Sequence, residues 1–176
     1  MYAYDLLAFD AAYCSEYERQ FRPACDADVD AMLAIERESF EFPWSREEFE
    51  FCLHSNRCDA IVVERDGAIL GYVAYELRRD SIRLLSCAIA EPERRRGLGS
   101  ALVERLISRL GGRRSEIACL VRERNLPAQL FLRRLGFRSH WVARRFYTSA
   151  PEDAYRMTYQ LDDAVALPSP DVRRAG

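Results

Sequence analysis

Apolar positions along the chain switch between two repeat lengths, and the switches divide it into elements. Tyr17–Pro23 alternates and predicts a first strand. Beyond it, either Asp26 or Asp28 can cap a helix reaching about Phe40, with Val29, Met32, Leu33, Ala34 and Ile35 on its apolar face. Phe42-Pro43-Trp44 breaks that helix. Ser45-Arg46-Glu47-Glu48 is a capping box that opens a second one, to about Leu53. Ala60–Glu64 and Ile69–Leu77 read as strands joined by the hairpin signal Arg65-Asp66-Gly67, and Ile82–Ile89 as a further strand. After the loop Ala90–Arg96, a helix is expected from Gly97 to Leu110, with Leu102, Val103, Leu106 and Leu110 on one face and Gly111-Gly112 as its stop. Ile117–Val121 is a strand. A helix from Asn125 to about Leu135 has Pro127 in its first turn and Gly136 at its end, and Phe137–Tyr147 and Tyr155–Leu161 close the series as strands.

This order predicts one α/β domain with a mixed sheet, spanning residues 17–162. Residues 1–16 read as an N-terminal extension, partly ordered at best. Residues 163–176 carry Pro168 and Pro170 without periodicity and are expected to be a disordered tail.

Composition narrows the chemistry. Among 176 residues, 26 are basic and 28 acidic, leaving a formal charge of −2, and every basic side chain is arginine. Without lysine there is no Schiff-base, P-loop or general-base lysine. The near-neutral balance argues against nucleic acid as a partner. No apolar run has a spanning length, and Met1–Asp10 lacks a signal-peptide pattern. The six cysteines show no framework spacing, so a cytoplasmic location is expected. Cys52, His54 and Cys58 match no zinc template, and no metal is expected. His140 beside Trp141 reads as structural.

Arg94-Arg95-Arg96-Gly97-Leu98-Gly99-Ser100 is the most informative segment. It follows a strand and opens a helix. Small residues let backbone N–H groups converge there, the helix start adds partial positive charge, and arginine forks surround them. The segment is neither a Walker loop nor a dinucleotide fingerprint, because the lysine and the third glycine are absent.

Ile89 through Ser100 resembles the acyl-CoA pyrophosphate loop of the GNAT superfamily of N-acetyltransferases, with Arg94, Gly97 and Gly99 matching its pattern. Val121-Arg122-Glu123-Arg124-Asn125 and Leu135-Gly136-Phe137 are similar to that family's second cofactor segment. Ile35–Phe40, Phe42-Pro43-Trp44-Ser45 and Glu152-Asp153-Ala154 resemble the bacterial branch that acetylates the N-terminal alanine of a ribosomal protein. The resemblance implies a mostly antiparallel mixed sheet with helices on both faces and a splayed central strand pair. It implies acetyl-CoA as co-substrate, its pyrophosphate on Arg94, Arg95, Arg96, Gly97, Leu98, Gly99 and Ser100. Its pantetheine arm would lie along Cys87, Ala88 and Ile89, with Asn125 as a further contact. The acceptor is a primary amine, on a protein N-terminus or a small molecule, attacking the thioester directly.

Direct attack needs a base and a proton donor. The resembled branch has glutamate where this chain has Leu120 and tyrosine where it has Leu132. Tyr147, Glu123 and Tyr75 are the substitutes the sequence offers. Tyr75 and Glu76 point to opposite faces of one strand, so only one can face the groove, and Tyr75 also reads as core. Arg144 and Arg145 flank the expected acceptor side. The missing pair motivates the alternative of a catalytically weak or inactive acyl-CoA-binding regulatory module.

Overall fold

The computed structural model describes residues 19–147 and 151–161. The expected extension at 1–16, the tail at 163–176 and the start of the first strand at Tyr17 lie outside the described residues. The elements in chain order are β1 (Gln20–Pro23), α1 (Val29–Ser39), α2 (Arg46–His54), β2 (Cys58–Arg65), β3 (Ala68–Leu77), β4 (Ser81–Ile89), α3 (Leu98–Ile107), β5 (Glu116–Arg122), α4 (Leu126–Arg134), β6 (Arg138–Tyr147) and β7 (Glu152–Gln160).

Every element predicted by periodicity is present, and the differences have local causes. The helix expected to reach Leu110 ends at Ile107, because Arg109 and Leu110 donate to Leu106 and Ile107 in tight i→i+3 turns. The last strand begins at Glu152 rather than Tyr155, since the Glu152 carboxylate is satisfied by Arg122 Nη1 at 3.0 Å and the Arg124 N–H at 2.8 Å. At α2 the Ser45 hydroxyl accepts from Glu48 N–H at 3.3 Å and the Glu48 carboxylate accepts from Ser45 N–H at 2.7 Å, the box the sequence spelled out.

The strands form one sheet of seven in the order β1-β2-β3-β4-β5-β7-β6. All neighbours are antiparallel except β4 and β5. Alternation sends side chains to two cores. Val62, Tyr72 and Ala74 meet Met32, Leu33 and Phe49 of α1 and α2. Val63, Val73, Tyr75 and Ile117 meet Leu98, Leu102 and Leu106 of α3 and Leu132 of α4. Burying such a side chain contributes roughly 1.5–3 kcal/mol, so the helices are held by these apolar faces rather than by propensity.

One strand pair fails to zip. β4 and β5 match only at Ser81–Glu116, Ile82–Ile117 and Arg83–Ala118. Just past that point, Ala74 of β3 opposes Ser86 while Tyr75 opposes Leu84, leaving Leu85 as an extra residue in β4. A bulge bends its strand, and here it turns β4 out of reach of β5. From Leu84 to Ile89, β4 is paired only with β3 among the described residues, so half of its backbone groups face an open gap.

Candidate active site

The gap leads into the glycine turn. β4 ends at Ile89, which can lie close over β3 because Gly71 stands opposite it. A Cβ on Gly71 would collide with Ile89 Cδ1 and come within 2.8 Å of the Ala88 carbonyl. A short 3-10 turn at Glu91–Glu93 follows, and Glu93 is buried against Arg65 at 2.8 Å and Arg96 at 3.5 Å. Its charge is therefore matched before the loop begins. Arg94 donates to the Ile89 carbonyl at 2.9 Å and to the Ser39 hydroxyl at 3.0 Å, anchoring the loop to β4 and α1.

Arg95 at φ 63° and Gly97 at φ 83° are left-handed, and Gly97 caps α3. Such bends turn successive N–H groups toward one side, forming an anion-binding concavity at a helix start. A Cβ on Gly97 would meet nothing within 4 Å, so the space before it is open.

These parts line a cavity of about 570 Å³. Ten of the eleven cofactor residues expected from the sequence line it: Cys87, Ala88, Ile89, Arg94, Arg95, Gly97, Leu98, Gly99, Ser100 and Asn125. Arg96 is the exception, its guanidinium turned to Glu93. The cavity also includes Ser39, Phe40, Glu93, Pro127, Ala128, Phe131 and Arg134, which sequence reasoning missed. Part of that set had a signal: Pro127, Phe131 and Arg134 recur at helical spacing on one face of α4. Ser39 and Phe40 come from the end of α1, whose approach depends on tertiary packing. Asn125 is held in place as the α4 cap, its side chain accepting from Ala128 N–H at 3.1 Å.

Arg94, Arg95 and Arg134 face this cavity while Glu93 is already paired, so its charge suits phosphate groups. Cys87 also lines it, but burial pushes its thiol up to about 12, and a neutral thiol is a poor nucleophile.

The three acid–base candidates are not brought together there. Tyr75 is a correction: its side chain is fully buried under α3, its hydroxyl donates to Asp59 at 2.8 Å and accepts from Arg109, and burial raises its pKa. Strand alternation directs it into the core, away from the cavity. Glu123 is exposed just past β5, with its N–H on the Asp153 carbonyl at 3.1 Å. Tyr147 is half-buried at the end of β6, its ring under the Arg122 guanidinium at 3.7 Å. Leu132 is buried in the core and Leu120 lies opposite Arg156 of β7. Glu36 was not singled out by sequence, yet it is 2% exposed and accepts hydrogen bonds from Tyr72, from Ser86 at 3.2 Å and from Trp44 N–H at 3.0 Å.

Residues 29–137, which contain the bulged strand, the glycine turn and α4, match the model of the acetyltransferase (GNAT) family. The chain belongs to the GNAT family. It is an N-acetyltransferase that takes its acetyl group from acetyl-CoA. Among relatives of this GNAT chain, the ribosomal protein bS18-alanine N-acetyltransferase of Escherichia coli K12 is 30% identical over 140 residues, covering 76% of this chain and 92% of the relative. An N-alpha-acetyltransferase of Sulfurisphaera tokodaii is 29% identical over 160 residues, covering 82% and 94%. The crystal structure of the ribosomal-protein-S18-alanine N-acetyltransferase from Escherichia coli superposes with a TM-score of 0.73 at 27% identity, covering 81% of this chain and 94% of that one. The fold expectation is thereby met, splayed pair included. Among the described residues, no helix of this GNAT chain is long and apolar enough to cross a membrane.

Proposed function

We propose that this protein acetylates the α-amine of a protein N-terminus, with acetyl-CoA held in the cavity beside α3. One observation carries the reading. An unpaired strand edge, a left-handed glycine turn and a helix start lie in series along a single cavity, as a thioester arm ending in a pyrophosphate requires. In this reading, N–H groups from Arg95 to Ser100 donate to the pyrophosphate oxygens, and Arg94, Arg95 and Arg134 offset their charge. The backbone of Cys87, Ala88 and Ile89 pairs with the pantetheine amides, and Asn125 closes the far side.

The amine then attacks the thioester carbonyl from the open end of the gap. A carbon–nitrogen bond forms, the carbon–sulfur bond breaks, and the thiolate leaves with its electron pair. Holding the two reactants in line supplies a large share of the rate, on the order of 7–11 kcal/mol in favourable intramolecular cases. Glu123 acting through water is the candidate acceptor of the amine proton, and Tyr147 the candidate donor to the thiolate. Tyr75 takes no part. The activities of the bS18-alanine and N-alpha-acetyltransferase relatives support a protein N-terminus as acceptor and an alanine-first sequence as the first to test. A reducing cytoplasm suits the free cysteines Cys25, Cys52, Cys58, Cys87 and Cys119.

The test is acetyl-CoA turnover against alanine-first and other N-terminal peptides and a panel of small amines, beside a titration of acetyl-CoA binding. Peptide acetylation at the α-amine is expected. Binding without turnover of any amine would favour a regulatory acyl-CoA-binding module, and absence of binding would overturn the cofactor placement.

A further inference from the structure

Arg122 is the last residue of β5, where the strand reaches the open end of the gap. Its guanidinium lies over two rings, with its carbon 4.4 Å from the centroid of Phe42 and 3.7 Å from that of Tyr147. Phe42 belongs to the loop between α1 and α2. Tyr147 ends β6. The two segments, far apart in sequence, touch the same planar cation. Nη1 of Arg122 is 3.0 Å from Glu152 Oε2, and the other oxygen of Glu152 accepts from Arg124 N–H at 2.8 Å, so an ion pair holds the guanidinium in addition to the two rings. Phe146 continues the ladder, its ring edge-on to Tyr147 with centroids 5.1 Å apart. The outer rings, Phe42 and Phe146, are exposed.

We infer that Arg122 is a positioning residue for the acceptor, clamping Phe42 and Tyr147 into a mouth fitted to an extended polypeptide N-terminus. This rests on the acetyltransferase reading above. A flat cation can stack on two rings at once, whereas the ammonium of lysine is a hydrated point charge with no face. The charge of Arg122 is already matched by Glu152, so the ladder offers no free cation to an acidic acceptor. Its exposed aromatic ends present apolar surface to residues that follow the attacking amine. A small amine has no atoms there to touch.

The test compares wild type with Arg122→Lys and Phe42→Ala, the second a surface truncation that leaves the core intact. An alanine-first peptide and propylamine serve as acceptors, with acetyl-CoA titration and amide hydrogen exchange alongside. The KM for the peptide should rise about tenfold in both variants, with acetyl-CoA affinity within about threefold of wild type, and kcat/KM should fall further for the peptide than for propylamine. Amide exchange in residues 40–44 should quicken in both. An unchanged peptide KM in both variants, or equal losses on peptide and propylamine, would overturn the inference. If wild type binds acetyl-CoA but turns over neither acceptor, the function itself fails. The clamp is then judged by exchange alone: quickening confined to 40–44 in both variants upholds it, and unchanged exchange refutes it.

Discussion

The guanidinium of Arg94, on the glycine turn, donates to the hydroxyl of Ser39 at the end of α1, 3.0 Å away. The loop is thus braced against a helix distant in sequence. Removing the arginine frees the turn and deletes a positive charge from the cavity. Hydrogen bonds from charged groups contribute roughly 1.5–3 kcal/mol, and about 1.4 kcal/mol is tenfold in affinity. Arg94→Ala should therefore weaken acetyl-CoA binding by about tenfold or more in calorimetric titration. Ser39→Ala leaves the Arg94 bond to the Ile89 carbonyl and should weaken it by less than about threefold. Equal effects would show that the brace to α1, and not the arginine, shapes the site.

Gly97 and Gly99 differ in why they are glycine. At φ 83° any side chain on Gly97 costs about 1–2 kcal/mol, yet the space before it is open. Gly97→Ala should lower the melting temperature by a few degrees and acetyl-CoA affinity modestly, whereas Gly97→Glu adds a carboxylate to the phosphate site and should abolish measurable binding. A Cβ on Gly99 would sit 3.4 Å from the Phe131 ring, close to ordinary contact. Gly99→Ala should fold with little change in stability. A large affinity loss in that variant would mark close approach of the ligand to the helix backbone.

The fold was legible because its signals are local. The capping box at Ser45, the Asp66-Gly67 turn and the apolar face of Leu102, Val103 and Leu106 are each set within a few residues. The cavity was nearly as legible, since most of its lining falls between Cys87 and Ser100. The proposed acceptor side was not. Arg122, Phe42, Tyr147 and Glu152 meet only through the sheet order, in which β7 slips between β5 and β6. Nothing in the spacing of those residues encodes that insertion. Glu36 was hidden for a related reason: its partners Tyr72 and Ser86 sit on different strands.

Glu36 makes a pH prediction with a definite sign. Burial, the largest influence, raises its pKa, against the lowering effect of hydrogen bonds from Tyr72, Trp44 and Ser86. The unfolded chain then releases the proton first, at the ordinary value near about 4.3. Stability from this group is complete below that value and declines as pH climbs toward the folded-state pKa. Glu36→Gln removes the titration and keeps the shape. Urea midpoints of both proteins, measured upward from about pH 4, should show wild type losing ground to the glutamine variant. A constant difference would mean that the three donors fully offset burial.

Tyr147 tests whether the phenol or the ring matters. Burial raises its pKa, while the adjacent Arg122 pulls the other way, so the hydroxyl stays protonated through neutral pH, the state a donor to a thiolate needs. Tyr147→Phe keeps the ring on Arg122 and deletes the hydroxyl alone. A general acid contributes roughly 100- to 10,000-fold. If the hydroxyl supplies the proton, kcat should fall by about 100-fold or more while the peptide KM and acetyl-CoA affinity stay within about twofold. The wild-type rate should also decline only above about pH 10, where an ordinary tyrosine begins to ionise, and that decline should vanish in the phenylalanine variant. An unchanged kcat would leave the ring as the useful part of Tyr147, as one half of the clamp on Arg122, with the thiolate drawing its proton from water.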